Sequence, residues 1–325
     1  MKGRLHQEKK KVLLFCDPGI DDAVAIFYAV MHPQIELVGI VADYGNTTRE
    51  NAVRNVVYLL ELLHVENVPV FAGAEGPLTG KEVQEQPDIH GEFGLGTINV
   101  PGEVDVEPFE NFFDVIDVIK NYRDEVVIVT TGRLTSLAAL CTFYPMLMHR
   151  VVSEYVVMGG AFFVPGNITP LAEANIYEDP IAAKLVIGKA SMITIVPLNV
   201  TDQLLVPMKV IREIAFDNGY VIFEALVDYY YDFYEAATVD ELLGTPLHDV
   251  VALSVLVNPE FYEFVDYRVF VESSDTSTAG VTFPDLRRLE ELKPGPVHRV
   301  AVEADEHAFL NDFVRILSRK KDVDM

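Results

Sequence analysis

Asp17-Pro18-Gly19-Ile20-Asp21-Asp22 places three carboxylates within six residues. Pro18-Gly19 forces a tight turn, which brings Asp17 back toward Asp21 and Asp22. Acids favour helix N-termini through capping and the helix dipole, which accounts for Asp21 or Asp22 but less well for Asp17. Converging carboxylates repel one another and raise each other's pKa unless a cation neutralises them. Oxygen donors without Cys or His beside them suit Ca2+ or Mg2+ rather than zinc. Far downstream, Pro246-Leu247-His248-Asp249 opens a helical run. Asp249 reads as a helix cap or as a further metal ligand, and His248 as its packing neighbour or as a proton donor, since imidazole titrates closest to neutrality.

Other polar residues stand at comparable places. Gly45-Asn46-Thr47-Thr48 and Thr131-Gly132 each follow an apolar run. Both read as ordinary turns, although the Thr131 carbonyl could ligate a hard cation. Gly159-Gly160, Gly166-Asn167 and Glu173-Ala174-Asn175 follow a third run. On an extended segment Glu173 and Asn175 would point the same way, one accepting and one able to donate or accept, which suits a hydroxyl ligand. A solvated polar loop is the competing account.

The elements that must position these residues alternate in type. Short β-branched runs predict strands over 11–16, 35–41, 68–71, 126–130, 151–158 and 192–197. Helical periodicity fills 21–31, 49–64, 109–121, 134–143 and 180–188, while 72–101 and 159–174 are irregular. Strands separated by helices of this length form right-handed βαβ units on a parallel sheet. The fold class is therefore α/β, a mainly parallel, Rossmann-like open sheet with helices on both faces. After Asp202 the pattern turns largely helical through Asn258, as a C-terminal insertion. Three β-rich stretches (267–272, 278–283, 297–302) and a helix over 306–318 follow. No linker or repeat divides the chain, so 1–325 reads as one domain, with 1–10 as a flexible N-terminal extension. In such a sheet ligands bind beyond the C-terminal strand ends, where the residues above stand.

The 325 residues carry 25 Lys and Arg against 50 Asp and Glu, a formal net charge of −25. A surface that negative repels phosphate backbones and anionic lipid, so nucleic acid polymers and membranes are excluded as partners. The two cysteines, Cys16 and Cys141, supply no disulfide framework. The apolar run at 12–16 is too short for a signal peptide, and no stretch approaches the roughly 18 apolar residues of a membrane span. A cytoplasmic location is expected. An aspartate-nucleophile phosphatase needs Asp-x-Asp, but Gly19 stands two residues past Asp17. No G-x-G-x-x-G follows the first strand, which argues against a dehydrogenase.

Taken together, DPGIDDAVA, YGNTT, HGEFGLG, TTGRLTSLA, MGGAF with PGN, AEANIYEDP and PLHD resemble, in order and spacing, the inosine-uridine preferring nucleoside hydrolase family. The resemblance runs from Asp17 to Asp249. It implies hydrolysis of the N-glycosidic bond of ribonucleosides to free base and ribose. Asp17, Asp22, the Thr131 carbonyl and Asp249 would hold Ca2+, with the ribose 2′- and 3′-hydroxyls and a water completing the shell. Asp17 would take the water's proton and His248 would protonate the leaving base. Asp21, Asn46 and Asn175 would bind the ribose diol, Asn167 and Glu173 the 5′-hydroxyl, Met158 would line the sugar pocket, and His90 would sit over the base. Homo-oligomers are implied as well.

Tryptophan clamps of the purine-specific relatives are closed to a chain with no Trp. His248 resembles the base-nonspecific or pyrimidine-preferring branch. Tyr229, Tyr230, Tyr231 and Tyr234 offer base contacts, although four aromatics at that spacing cannot share one helix face. Three positions depart from the family pattern. Phe15 replaces the usual aspartate, and Arg133 and Ser136 replace the commoner Pro and Asn. Loss of that aspartate keeps open a calcium-dependent binding protein without turnover.

Overall fold

The structure, a computed structural model, describes residues 9–100, 111–218, 220–237, 242–287 and 295–319. The N-terminal half runs β1 (Lys10–Cys16), α1 (Ile20–Met31), β2 (Ile35–Ala42), α2 (Arg49–Leu62), β3 (Val70–Ala72) and the single turn α3 (Pro87–His90). A 3-10 turn at Phe112–Asp114 leads into α4 (Val115–Asn121), β4 (Val126–Thr130), α5 (Thr135–Phe143), α6 (Pro145–Val151) and β5 (Glu154–Met158). Next come α7 (Ala174–Glu178), α8 (Pro180–Lys189), β6 (Ile193–Val196), α9 (Leu198–Thr201) and β7 (Leu205–Val206). The insertion continues with α10 (Met208–Asn218), α11 (Val221–Ala237), β8 (Thr245–Pro246) and α12 (His248–Val257). The chain closes with β9 (Tyr262–Tyr267), β10 (Val269–Val271), β11 (Thr282–Pro284), β12 (His298–Ala304) and α13 (Glu306–Leu317).

Eight strands form the main sheet in the order β3-β2-β1-β4-β5-β6-β12-β9. All pairings are parallel except that of β9 with β12. The parallel α/β expectation therefore holds. Strand order reverses direction at β1 and β4, because β2 and β3 build outward on one side and β5 and β6 on the other. That switch point opens a crevice beyond the strand ends, and Asp17 and Thr131 are the residues that follow β1 and β4.

Strand alternation sorts the core into two layers. Val12, Leu14 and Cys16 of β1 pack with α1, α2, α12 and α13. Leu13 and Phe15 face the other way, against α4, α5 and α8. Helices thus cover both faces, and each fully buried aliphatic side chain contributes about 1.5–3 kcal/mol. Phe15 belongs to the second apolar layer and is 1% exposed. Helix α12 is buried along nearly its whole length. Apart from Ser254, which accepts from Tyr262 OH at 2.8 Å, it is apolar all round after its N-terminal His248-Asp249, so burial carries those two polar residues inward with it.

Several element boundaries differ from the sequence expectation. The strand predicted over 151–158 begins at Glu154, because Pro145 opens α6 and carries helix through Val151. The β-rich stretch at 267–272 is two elements, the end of β9 and all of β10. The stretch at 278–283 contracts to β11. Residues 1–8 of the expected extension, and 109–110 of the expected third helix, lie outside the described residues. Lys10 already pairs with Ile35 as the first residue of β1.

Candidate active site

A cavity of about 290 Å3 lies at the switch point. Among the residues singled out from the sequence, Asp21, Asn46, His90, Thr131, Met158, Asn167, Glu173, Asn175, His248 and Asp249 line it. Asp17 and Asp22 do not line it but are buried, at 0% and 1% exposure.

The turn after β1 places the acids. Gly19 N–H donates to Asp22 Oδ2 at 3.1 Å, and Thr131 Oγ1 donates to Asp22 Oδ1 at 2.7 Å. Gly19 is required here: a Cβ would lie 2.5 Å from His90 Nδ1 and 2.6 Å from Asn46 Nδ2. Asp21, Asp22 and Asp249 bring carboxylate oxygens within 4.8 Å of one another. Burial pushes the Asp21 carboxyl up to about 7, reinforced by the Asp22 charge. Burial also raises Asp249 well above the carboxylate range, reinforced by Asp21, Asp22 and Asp17. Asp21 Oδ1 and Asp17 Oδ1 are buried without a hydrogen-bond partner. Hard oxygens, mutual repulsion and unsatisfied acceptors together fit a hard cation. The helix-cap account of Asp249 fails: Leu247 occupies the cap position, and Asp249 turns its carboxylate into the cluster.

Asp17 is held from its other oxygen. The Asn46 backbone N–H donates to Oδ2 at 2.7 Å, and Arg133 Nη1 forms a buried ion pair with the same atom. Arg133 Nη1 also donates to Asn46 Oδ1 at 3.2 Å. Gly132 is shaped around this carboxylate, since a Cβ there would approach Asp17 Oδ1 to 2.2 Å.

On the opposite wall, Asn175 Nδ2 donates to the Thr131 carbonyl at 2.6 Å. Glu173 and Asn175 do not share an extended segment. Glu173 caps α7, accepting from the backbone N–H of Asn175 at 2.9 Å and of Ile176 at 3.2 Å, so Asn175 is already helical. Glu173 Oε2 also accepts from Gly160 N–H at 3.0 Å. Asn167 Oδ1 accepts from Ala174 N–H at 3.0 Å, which ties the preceding loop to the start of α7.

Both histidines are neutral. Burial lowers His90 to about 3, and its Nδ1 accepts from Ile20 N–H at 3.0 Å. Burial lowers His248 to about 4. Its Nδ1 lies 2.9 Å from Thr201 Oγ1 and its Nε2 3.3 Å from Tyr234 OH. From there Tyr234 and Tyr230 hydroxyls lie 3.4 Å apart, and Tyr230 OH donates to Asp21 Oδ2 at 3.3 Å. A continuous hydrogen-bonded chain therefore links the imidazole to the acid cluster. Tyr230 and Tyr234 stand one turn apart on the inward face of α11, with Phe233 beside them in the cavity wall. Tyr229 instead donates to Pro87 O at 3.1 Å and Tyr231 to Leu242 O at 3.2 Å.

Sequence reasoning assigned no role to Arg133, Phe233, Gln86, Ile89 or Ile168, all of which line the cavity. Arg133 carried a signal as a departure from the family pattern, and Phe233 as the i+3 neighbour of Tyr230. The others carried none. Among the described residues no helix is long and apolar enough to cross a membrane.

Relatives share this architecture. The chain is 34% identical over 278 residues to "Probable uridine nucleosidase 1" of Oryza sativa subsp. japonica, covering 85% of this chain and 84% of the relative. It is 32% identical over 314 residues to "Inosine-uridine preferring nucleoside hydrolase" of Crithidia fasciculata, covering 92% and 95%. The solved structure of a purine-preferring ribonucleoside hydrolase from Gardnerella vaginalis superposes with a TM-score of 0.86 at 32% identity, covering 95% of this chain and 98% of that one. The family description "Inosine-uridine preferring nucleoside hydrolase" matches residues 12–311. The acids after β1, the polar wall at α7 and the buried end of α12 thus sit on a fold shared almost end to end, and the chain belongs to the inosine-uridine preferring nucleoside hydrolase family, N-ribohydrolases that act on N-glycosyl compounds.

Proposed function

We propose that this chain is a calcium-dependent ribonucleoside hydrolase that uses Asp17 to activate water and His248 to assist departure of the base. The observation that carries this reading is the buried cluster of Asp21, Asp22 and Asp249 at the cavity floor, with Asp17 Oδ1 left unpartnered. Asp17, Asp22, Asp249 and the Thr131 carbonyl would hold the ion. Calcium, when bound, supplies charge that fixes a ribose diol and makes a neighbouring water easier to deprotonate.

The chain's own residues do the rest. Asp21, Asn46 and Asn175 orient the 2′- and 3′-hydroxyls, while Asn167 and Glu173 take the 5′-hydroxyl and Met158 packs against the sugar. Cleavage of the C1′–N bond leaves positive charge on the ribose ring, which the surrounding carboxylates and amides stabilise more than they do the neutral ground state. Water oxygen bonds to C1′ and its proton passes to Asp17. The bonding pair leaves with the base, which is protonated from the His248–Tyr234 hydrogen-bonded pair. The proton that neutral His248 gives up from Nε2 is replaced from the Tyr234 hydroxyl, which is reprotonated from Tyr230 and in turn from the Asp21 carboxyl, whose raised pKa lets it hold a proton. His90, stacked on Tyr230 at 5.5 Å, covers the base side.

Free ribose released from inosine, uridine, cytidine and adenosine tests the proposal, with and without calcium and beside Asp17→Ala. Release from at least one nucleoside, lost in the variant and restored to chelator-stripped protein by calcium, is expected. No release from any of them by folded, calcium-loaded protein would overturn it.

A further inference from the structure

Arg133 is a buried guanidinium in a site otherwise built of acids. Its side chain is 2% exposed and pairs with the equally buried side chain of Asp17. Of the lysines and arginines it alone lines the cavity among the described residues. One nitrogen, Nη1, reaches both Asp17 Oδ2 and Asn46 Oδ1. The far oxygen of Asp17, Oδ1, is the one left without a partner. Asp17 is therefore divided in use: one oxygen belongs to a fixed internal cation, and the other is free.

We infer that Arg133 is a positioning residue that acts as a resident cation, setting Asp17 and Asn46 before anything binds and lowering the affinity of the neighbouring carboxylates for a divalent ion. The inference rests on the reading of that cluster as the calcium site. Two separable effects follow from charge and from shape. A positive charge in contact with one ligand repels a second cation arriving at its neighbours, and low-dielectric surroundings strengthen that repulsion. The rigid guanidinium plane holds one nitrogen, Nη1, between the two acceptors, a placement that the differently shaped and flexible lysine stem does not reproduce. Removing the charge leaves Asp17 buried without a counterion, so an arriving calcium ion gains more by filling the gap.

Calorimetric titration of calcium into the stripped full-length chain separates these effects. Arg133→Gln is expected to bind calcium at least tenfold more tightly than the parent, and its melting temperature to rise further on calcium addition than the parent's does. Arg133→Lys keeps the charge, and its calcium affinity is expected to stay within threefold of the parent. Both variants lose at least tenfold in kcat/KM at saturating calcium, because neither holds a guanidinium nitrogen between Asp17 and Asn46. Unchanged or weaker calcium binding by folded R133Q overturns the charge effect, and undiminished turnover in both variants overturns the positioning. Should R133Q fail to fold, R133K alone decides: full turnover or an affinity shifted beyond threefold refutes the inference. A parent chain that binds no divalent ion at all overturns the calcium reading itself, whereas calcium bound equally by parent and R133Q overturns only the inference.

Discussion

Acid should weaken this fold through His32, at the end of α1. The ring is 2% exposed and packs on Tyr28 with centroids 5.2 Å apart. Its Nδ1 accepts from Gln34 N–H at 3.2 Å, and its Nε2 is buried without a partner. Burial lowers its pKa from 6.5 to about 4, with Arg315 and Arg319 pushing the same way and Asp312 opposing. Asp312 opposes only in part, because it is already engaged by Arg315, Tyr28 and Asn258. A histidine with a depressed folded pKa takes up protons more readily when unfolded, so its contribution is complete above about 6.5. It is lost progressively as pH falls toward 4 and levels off below. A shift of that size corresponds to about 3 kcal/mol at about 1.4 kcal/mol per unit. His32→Asn retains an acceptor for the Gln34 N–H in an Asx turn and removes the titration. Urea unfolding of both proteins from pH 7 to pH 4, at fixed calcium, gives the comparison. The stability difference between them should move by about 3 kcal/mol in favour of the variant over that interval, on top of a constant offset for lost ring packing. Parallel curves through the whole interval would refute the reasoning.

Three further outcomes are expected. Tyr234→Phe interrupts the chain from His248 to Asp21 and should lower kcat on natural nucleosides by about 100-fold, the lower end of general-acid assistance; an aryl riboside whose phenolate leaves unaided should be spared. Gly132→Ala drives a Cβ to 2.2 Å from Asp17 Oδ1, and displacing that carboxylate should cost about 100-fold in turnover; steady-state kinetics with circular dichroism as a fold check would show it. Calcium at 100 times its dissociation constant should stabilise the stripped chain by about 2.7 kcal/mol, read as a calcium-dependent melting temperature; an unchanged melting temperature would count against a resident ion.

The acids after β1 were legible because Pro18-Gly19 states its own turn and the parallel-sheet rule says which strand ends matter. The floor of the cavity followed from that local chemistry. Asp249 was legible only as one of two readings, since a helix-opening acid looks the same whether it caps or ligates. Its inward direction comes from the burial of α12, a tertiary property. Glu173 and Asn175 were found, but on the wrong local geometry, because a glutamate cap three residues before Ile176 competes with the extended conformation. The tyrosines of α11 needed the rotation of the helix about its own axis, which adjacent aromatics on both faces leave undetermined. The ion pair of Arg133 with Asp17 joins residues 116 positions apart, and no periodicity encodes such a contact.

The interleaving of the last parallel strand has a consequence for biosynthesis. β12 pairs with β6, yet the chain from 197 to 297 is made between them, and that stretch contains Asp249. A ribosome-bound chain that has just completed β6 therefore presents an apolar strand with an unpaired edge, the kind of surface that invites wrong pairing until it is covered. It also carries Asp17, Asp21 and Asp22 with the opposing acid still unsynthesised. The acid cluster closes only after α12 has docked on α1, so the ion can be captured late, by a nearly finished protein. A chain stalled or cut before α12 would lack the acid that closes the site, and one cut between α12 and β12 would hold all four acids on a sheet whose β6 edge is still open.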